Sequence, residues 1–159
     1  MKKISLTLMG FTLLALSSFS QMKENGKIYI THPNIDAVNK STEAYLKKDA
    51  TANMQYFSDT AKAWMSGMEK PIPIKEAMNM WMSDHEKYDS LKMTPYGYPD
   101  CLEYDKDNAK VVQSWWTWSG KSKKTGETIK IQVAQFDFFD KEGKITFEGI
   151  YGDFSKMEK

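Results

Sequence analysis

Residues 128–154, TIKIQVAQFDFFDKEGKITFEGIYGDF, decide the fold class of this chain. Apolar and polar side chains alternate along 128–139 and again along 144–154, with the period of two that is typical of β-strands. Between these segments, Asp140-Lys141-Glu142-Gly143 is a cluster of turn-forming residues. The stretch therefore predicts two long antiparallel strands joined by a tight turn.

Two further strands are predicted upstream of this hairpin. Residues 101–104 and 109–119 are separated by the turn-forming cluster Asp105-Lys106-Asp107-Asn108. A charged loop over residues 121–126 then leads into the hairpin. The C-terminal half is thus predicted to form four antiparallel strands, and a brief strand is expected earlier, over residues 60–65.

Helical periodicity dominates the segment before these strands. Apolar side chains recur at spacings of three and four from about residue 34 to 48, which predicts an amphipathic helix. A short helical pattern follows from Asp49 to Phe57, and a third extends from about Pro73 to Leu91. Helices followed by antiparallel strands are typical of an α+β architecture in which the three helices cover one face of the sheet.

Composition excludes several classes of partner. The only cysteine is Cys101, so no disulfide forms within the chain. All 22 basic residues are lysines, and the net charge is +1, which becomes −1 if Lys2 and Lys3 are removed with an N-terminal leader. Without guanidinium groups or a strongly basic balance, the chain is not expected to bind nucleic acid. No cofactor is expected either.

The N-terminus has the pattern of a secretory signal peptide. Met1-Lys2-Lys3 precedes an apolar run over residues 6–16, and Ser18-Phe19-Ser20 supplies small residues for cleavage. The run is shorter than the roughly 20 residues of a membrane-spanning helix. We therefore expect export to a periplasm or to the exterior, with no membrane association after cleavage. The predicted organisation is a signal peptide at 1–20, a polar leader at 21–33, one domain at 34–155 and a C-terminal tail at 156–159.

Three short motifs resemble the SnoaL-like branch of the nuclear transport factor 2 family. They are Lys47-Lys48-Asp49, the segment YFSDTA at 56–61 and the segment FFDKEGKI at 138–145. The resemblance covers about residues 35–154 and implies a curved antiparallel sheet, or cone, wrapped around three N-terminal helices with a deep apolar pocket between them. This family contains enzymes, ligand-binding modules and assembly proteins, so the resemblance implies a fold rather than an activity.

The family register and plain alternation agree about the strand at 128–139. Both direct one set of side chains toward the pocket: Ile131, Val133, Gln135, Asp137 and Phe139. The opposite set contains Phe136 and Phe138. Family members often pair through the outer face of the sheet, so a homodimer packed through these two rings is a further expectation.

The two arguments disagree about the last strand. Hydrophobicity favours Ile145, Phe147 and Tyr151 as the buried residues, whereas the family register directs Glu148 and Ile150 into the pocket. Both assignments remain open at the level of sequence.

Asp137 and Glu148 are the candidate catalytic residues. Burial in an apolar cone raises the pKa of a carboxyl group and makes it useful for proton transfer near neutral pH. The alternative is that Asp137 only hydrogen-bonds a neighbour such as Gln135, and that Glu148 faces water. Ketosteroid isomerases of the family place a protonated aspartate where this chain has Gln135, so steroid isomerisation is not expected.

A metal site on the third helix is the weaker interpretation of its polar and thioether side chains. His85 shares a helical stripe with Met78 and Met82, and thioether and imidazole ligands suit Cu(I). Methionines at helical spacing are more often irregular core filler, so no metal is expected.

Aromatic and polar side chains supply the candidate walls of the pocket. The candidate ligand-binding residues are Tyr45, Trp64, Trp81, His85, Trp116, Trp118 and Gln135. They predict an exported protein that binds a small hydrophobic or aromatic molecule. The alternatives are an enzyme that uses Asp137 or Glu148 for proton transfer on a hydrophobic carbonyl substrate, and an assembly module that acts through the face of its sheet.

Overall fold

The computed structural model describes residues 24–157, and this part of the chain has an α+β fold. The predicted signal peptide lies outside the described residues. Three helices are present: α1 (Pro33–Leu46), α2 (Ala50–Met54) and α3 (Ile74–Lys87). Eight strands complete the described part: β1 (Gly26–Tyr29), β2 (Phe57–Met65), β3 (Ile72–Pro73), β4 (Tyr88–Pro95), β5 (Asp100–Tyr104), β6 (Lys110–Ser122), β7 (Thr128–Phe139) and β8 (Ile145–Gly152).

All eight strands belong to one curved, unclosed sheet. Its order is β1-β5-β6-β7-β8-β2-β3, and β4 pairs with β6 beside β5. The long strand β6 pairs with β5 through its first residues and with β4 through its last, and along its other edge it pairs with β7 from Lys110 to Lys121. The long central strands therefore hold the two ends of the sheet together.

The prediction of a purely antiparallel sheet is wrong at one pair, because β2 runs parallel to β8. The antiparallel pairs β6–β7 and β7–β8 are joined by short turns, which set their direction locally. No such turn links β2 to β8, which are far apart in the sequence. Their relative direction depends on how the helices carry the chain across the sheet.

Three strands were missed in the sequence: β1, β4 and the two-residue strand β3. The predicted polar leader contains β1, which pairs with β5, and Tyr29 Oη donates a hydrogen bond to Glu103 Oε2 at 3.0 Å. The third helix ends at Lys87 rather than at Leu91, and the chain continues as β4. A register shift between Asp89 and Lys92, with Ser90 at a φ of +54°, interrupts the alternation of β4. This irregularity explains why the sequence shows no clean period of two there.

The core lies between the helices and the concave face of the sheet. Helix α1 contributes Ile35 and Val38, and α3 contributes Ile74, Ala77 and Met78. The sheet adds Phe57, Ala61, Ala63, Cys101, Val112, Phe139 and Ile145. Burial raises the pKa of the Cys101 thiol to about 11, so this residue acts as a small hydrophobic side chain.

The disagreement about the last strand is resolved by a β-bulge. Phe138 faces Phe147, but the next residue of β7, Phe139, faces Ile145, so Thr146 is an extra residue in β8. The bulge changes the phase of the alternation, and both Ile145 and Glu148 are buried as a result. The hydrophobic pattern was right before the bulge, and the family register was right after it.

Aromatic side chains pair across the outer face of the sheet. Phe136 contacts Tyr151 with ring centroids 5.5 Å apart, Phe138 contacts Phe147 at 5.8 Å, and Trp64 contacts Tyr151 at 5.1 Å. These cross-strand pairs account for the apolar residues that alternate outward. Phe138 and Tyr151 still expose 42% and 50% of their surface. Dimerisation through this face stays a prediction.

No helix within residues 24–157 has the length and apolar character needed to cross a membrane.

Ile145 lies beside the bulge, and a substitution there tests the packing that the bulge produces. Ile145 is fully buried, whereas Ile28 on β1 is 68% exposed. We expect Ile145→Ala to lower the free energy of unfolding by about 2–5 kcal/mol, because it removes methylene groups from a packed site and leaves a cavity. The matched substitution Ile28→Ala should change it by less than about 0.5 kcal/mol. Urea denaturation of both variants measures the difference, and similar losses would contradict the observed register.

Candidate functional site

A cavity of about 110 Å³ lies between the helices and the concave face of the sheet, and part of its surface is open to solvent. Its wall is mainly apolar, and four methionines contribute to it. The apolar lining residues are Met65, Met80, Met93, Met157, Trp81, Trp118, Val133, Ile150 and Phe154. The polar lining residues are Ser41, Thr42, Tyr45, Asn53, Asp84, Gln135 and Glu148.

Two buried carboxyl groups meet at the wall of this cavity. Asp137 on β7 and Glu148 on β8 are direct cross-strand partners, with exposures of 0% and 5%. The side-chain amide of Gln135 bridges them: Nε2 donates to Asp137 Oδ2 at 3.0 Å and to Glu148 Oε1 at 2.7 Å. These three side chains form what we call the carboxyl pair and its bridge.

The remaining carboxyl oxygens of the pair are not satisfied. Asp137 Oδ1 and Glu148 Oε2 are buried and have no hydrogen-bond partner among residues 24–157. A buried polar atom without a partner costs free energy. The arrangement therefore favours protonation of one carboxyl group, or a ligand that donates a hydrogen bond.

Burial changes the protonation of both acids. Burial raises the pKa of Asp137 to about 8, although the amide of Gln135 acts in the opposite direction. Burial, followed by the proximity of Asp137, also holds the pKa of Glu148 well above its usual value. Two adjacent buried carboxyl groups do not both ionise near neutral pH. At least one of the two therefore holds a proton there.

The two acids have different positions relative to the cavity. Glu148 and Gln135 line it, whereas Asp137 is not part of the lining and lies behind the bridge. Glu148 is therefore the acid that is placed to touch a ligand, and Asp137 can influence it only through Gln135 and through its charge.

A second polar cluster lines the cavity from the helices. Tyr45 Oη donates to Asp84 Oδ2 at 2.8 Å and accepts a hydrogen bond from Trp118 Nε1 at 2.9 Å. Burial raises the pKa of Asp84, against the effect of the Tyr45 hydrogen bond. Burial and then Asp84 raise the pKa of Tyr45, so its hydroxyl stays protonated. The cluster ties α1, α3 and β6 together at the cavity.

His85 supports this cluster from outside the cavity. Its Nε2 lies 2.7 Å from the backbone oxygen of Tyr45, and the two rings make an edge contact with centroids 5.6 Å apart. Met78, which shares its helical stripe, lies in the core. Within residues 24–157, no three His, Cys, Asp or Glu side chains are grouped so that they could hold a metal ion.

The tryptophans divide between the cavity and other places. Trp81 and Trp118 line the cavity. Trp116 does not, although it is buried in the same hydrophobic cluster as Trp118, and its Nε1 donates to Ser114 Oγ at 2.9 Å. Trp64 lies on the outer face, because Ala61 and Ala63 are the inward residues of β2, and its Nε1 donates to the Met68 backbone oxygen.

The structure thus brings together four of the seven candidate ligand-binding residues. Tyr45, Trp81, Trp118 and Gln135 line the cavity, and Trp64, His85 and Trp116 do not. Of the candidate catalytic residues, Glu148 reaches the cavity and Asp137 stands behind it.

Sequence reasoning missed several lining residues. Asp84 follows Trp81 by three residues on α3, so helical spacing from that tryptophan could have identified it. Met80, which lies off the Met78–Met82 stripe, reaches the cavity together with Trp81 and Asp84. Met157, in the predicted tail, also lines the cavity.

Comparison with known structures identifies the fold. No protein-family model and no curated protein sequence matches this chain significantly. IdmH from Streptomyces antibioticus, a proposed polyketide cyclase, matches with a TM-score of 0.65 and 13% identity over 79% of this chain and 96% of its own. A proposed SnoaL-like polyketide cyclase from Shewanella denitrificans matches with a TM-score of 0.59 and 12% identity over 80% and 95%. An NTF2-like protein from Burkholderia thailandensis gives 0.57 and 17% over 76% and 90%.

These likenesses show the fold and no more. The chain has the SnoaL-like, NTF2-like cone, as the sequence motifs predicted. Identities of this size do not transfer an activity, so the function must be argued from the cavity.

The raised pKa of Asp137 makes stability depend on pH. The folded protein holds this proton up to a pH of about 8, whereas the unfolded chain releases it near the ordinary value of 3.8. Between these values the folded state binds more protons, so the free energy of unfolding falls as pH rises, by at most about 1.4 kcal/mol per pH unit for one proton. We expect Asp137→Asn to reduce this fall. Urea denaturation across that pH range measures it.

The exposed Asp59 on β2 provides the control for this experiment. Asp59→Asn should leave the pH dependence of the unfolding free energy as it is in the wild type. An Asp137→Asn variant with the same pH dependence as the wild type would show that the buried acid is not protonated in the folded state.

Proposed function

We propose that this protein binds a small, largely apolar molecule in the cavity between its helices and its sheet, with Glu148 as the polar contact. The observation that carries the proposal is a mainly apolar wall with a few convergent polar groups, which is the usual composition of a small-molecule site. The export predicted from residues 1–20 belongs to the proposal, since it places the site outside the cytoplasm.

The size of the cavity limits the ligand. A volume of about 110 Å³ is comparable with the roughly 150 Å³ of an engineered apolar cavity that binds benzene. A single ring or a short branched chain fits without rearrangement. Four methionines in the wall allow some adjustment, because their unbranched side chains change conformation at little cost.

Toluene provides a direct test of the proposed binding. Because a ligand that binds only the folded state stabilises it, saturating toluene should raise the melting temperature of the wild-type protein by about 1–3 °C. Val133→Phe and Ile150→Phe each place a ring in the wall and should abolish the rise. Differential scanning calorimetry with and without toluene measures the effect.

The control is Ala134→Phe, which adds the same ring next to Val133 but on the outer face of β7. This variant should retain the response to toluene. An equal response in Val133→Phe and Ala134→Phe would place toluene outside the cavity and contradict the proposal.

Proton transfer by Glu148 is a second candidate function. The observation that favours it is the buried carboxyl pair, in which Glu148 lines the cavity and has a raised pKa. Acids and bases with pKa values moved toward neutrality are typical of catalytic sites. Two of the structurally similar proteins are proposed polyketide cyclases, which is consistent with an acid or base in the cavity.

Exchange of carbon-bound hydrogen tests this second candidate. Cyclohexanone in deuterated buffer loses its α-protons slowly, and a base at Glu148 should accelerate the exchange by about 10²-fold or more over buffer. Glu148→Gln should remove the acceleration, and Glu142→Gln, at an exposed turn, should not. Proton NMR follows the exchange, and a wild-type rate equal to that of buffer would exclude general-base catalysis on this ketone.

A further inference from the structure

We propose that the ligand of the cavity is a small hydrophobic amine, bound as its ammonium ion with Glu148 as the anionic anchor. This inference rests on the proposed function and specifies its ligand class. Three observations support it: the hydrogen bonds that the lining side chains make, the charges of these side chains, and the aromatic rings among them.

Four side chains of the wall already use their hydrogen-bond donors within the protein. Gln135 Nε2 already donates to both acids, Tyr45 Oη donates to Asp84, and Trp118 Nε1 donates to Tyr45. Ser41 Oγ likewise donates to Asn53. An ammonium group has three donors and no acceptor, so it complements such a wall better than a carbonyl or hydroxyl group does.

The acceptor that lacks a partner belongs to Glu148. This side chain is 5% exposed and lines the cavity, and its Oε2 has no hydrogen-bond partner within residues 24–157. Trp81 Nε1 is a buried donor that also lacks a partner, and the Trp81 ring packs against Phe57 in the core. A neutral ligand that used Trp81 instead of Glu148 would show no preference for positive charge, which the experiment below detects.

The charges of the wall have one sign. Asp84 and Glu148 line the cavity, and none of the lining side chains in the described part of the chain is a lysine, arginine or histidine. His85 and Lys87 act on Asp84 from outside the wall. A positively charged ligand therefore meets no like charge in the cavity, and an anionic ligand meets two acids.

The carboxyl pair allows Glu148 to carry the negative charge. When an ammonium group lies beside Glu148, its charge favours the ionised carboxylate. Asp137 lies behind the bridge, away from the ligand, so it is the acid on which the ammonium ion acts least and the one that then keeps a proton. Only one charge is then buried in the pair, and the ligand neutralises it.

The aromatic residues suit the same ligand. Tyr45, Trp81, Trp118 and Phe154 line the cavity, and the faces of such rings attract organic cations, Trp most strongly. The methionines and Val133 leave an apolar space for the rest of the molecule. A hydrophobic amine uses both parts of the wall.

Three ligands of nearly equal shape and different charge test the proposal: benzylammonium, benzyl alcohol and benzoate. Isothermal titration of the wild-type protein near neutral pH should show benzylammonium bound at least about tenfold more tightly than benzyl alcohol, since a charge-assisted hydrogen bond replaces a neutral one. Benzoate should not bind detectably. This comparison uses one protein and does not depend on the folding of a variant.

Two variants then assign the preference to Glu148. Glu148→Gln should bring benzylammonium and benzyl alcohol to similar affinities, whereas Glu142→Gln, which removes the same charge from an exposed turn, should keep the preference. Melting temperatures and circular dichroism establish that both variants are folded. A preference for the amine that survives in Glu148→Gln overturns the assignment of the anchor, and with it the proposal.

The remaining outcomes separate this inference from the proposed function. If benzyl alcohol or benzoate binds as tightly as benzylammonium, and Val133→Phe abolishes that binding, the amine proposal fails and the small-molecule cavity stands. If none of the three ligands binds and toluene gives no stabilisation, both proposals fail.

Discussion

The hydrogen-bonded bridge from Gln135 to Asp137 and Glu148 is the interaction on which the rest of the site depends. Two carboxyl groups on adjacent strands of a sheet are brought together by the cross-strand register, and burial makes their joint ionisation unfavourable. A single amide nitrogen donates to one oxygen of each at 3.0 and 2.7 Å. The bridge therefore decides which oxygens are satisfied and which remain available.

The hydrogen bonds of this network are incomplete, which lowers the stability of the folded state. Incompletely paired polar groups in an apolar interior are destabilising. Well-packed hydrophobic side chains of similar volume would give a more stable fold at the same positions. Local conflicts of this kind are expected at functional sites, where the stability lost is compensated by the rest of the fold. Here the compensation comes from the core of α1, α3 and the sheet, which is continuous and buries several side chains completely.

The helices determine how much of the pair a ligand can reach. Tyr45 on α1 and Asp84 on α3 are joined by a hydrogen bond, and Trp118 on β6 donates to the same tyrosine. This cluster fixes the distance between the helices and the sheet beside the cavity, while flexible methionines fill the remaining wall. A rigid polar frame with an adjustable apolar wall can accept related ligands of slightly different shape while keeping their polar group in one place.

Much of the fold follows from local patterns. The period of two along residues 128–139 places Ile131, Val133, Gln135, Asp137 and Phe139 on the buried face, as the structure confirms, because alternation is a property of the extended backbone itself. The two longer helices were found within a few residues of their observed ends, except where Tyr88 begins β4. The turn at 140–143 is equally local, since its residues favour a turn without help from the rest of the protein.

The remaining features depend on pairs of segments that are distant in the chain. The bulge at Thr146, the parallel pairing of β2 with β8 and the strand in the polar leader each require a partner that local periodicity does not reveal. The same holds for the site: the sequence by itself determined that Gln135 and Asp137 share a buried face, because residues two apart in a strand must. Only the tertiary structure decided that Glu148 joins them, that Asp84 and Met157 reach the same cavity and that Trp64 does not, because packing between distant elements sets which buried side chains meet.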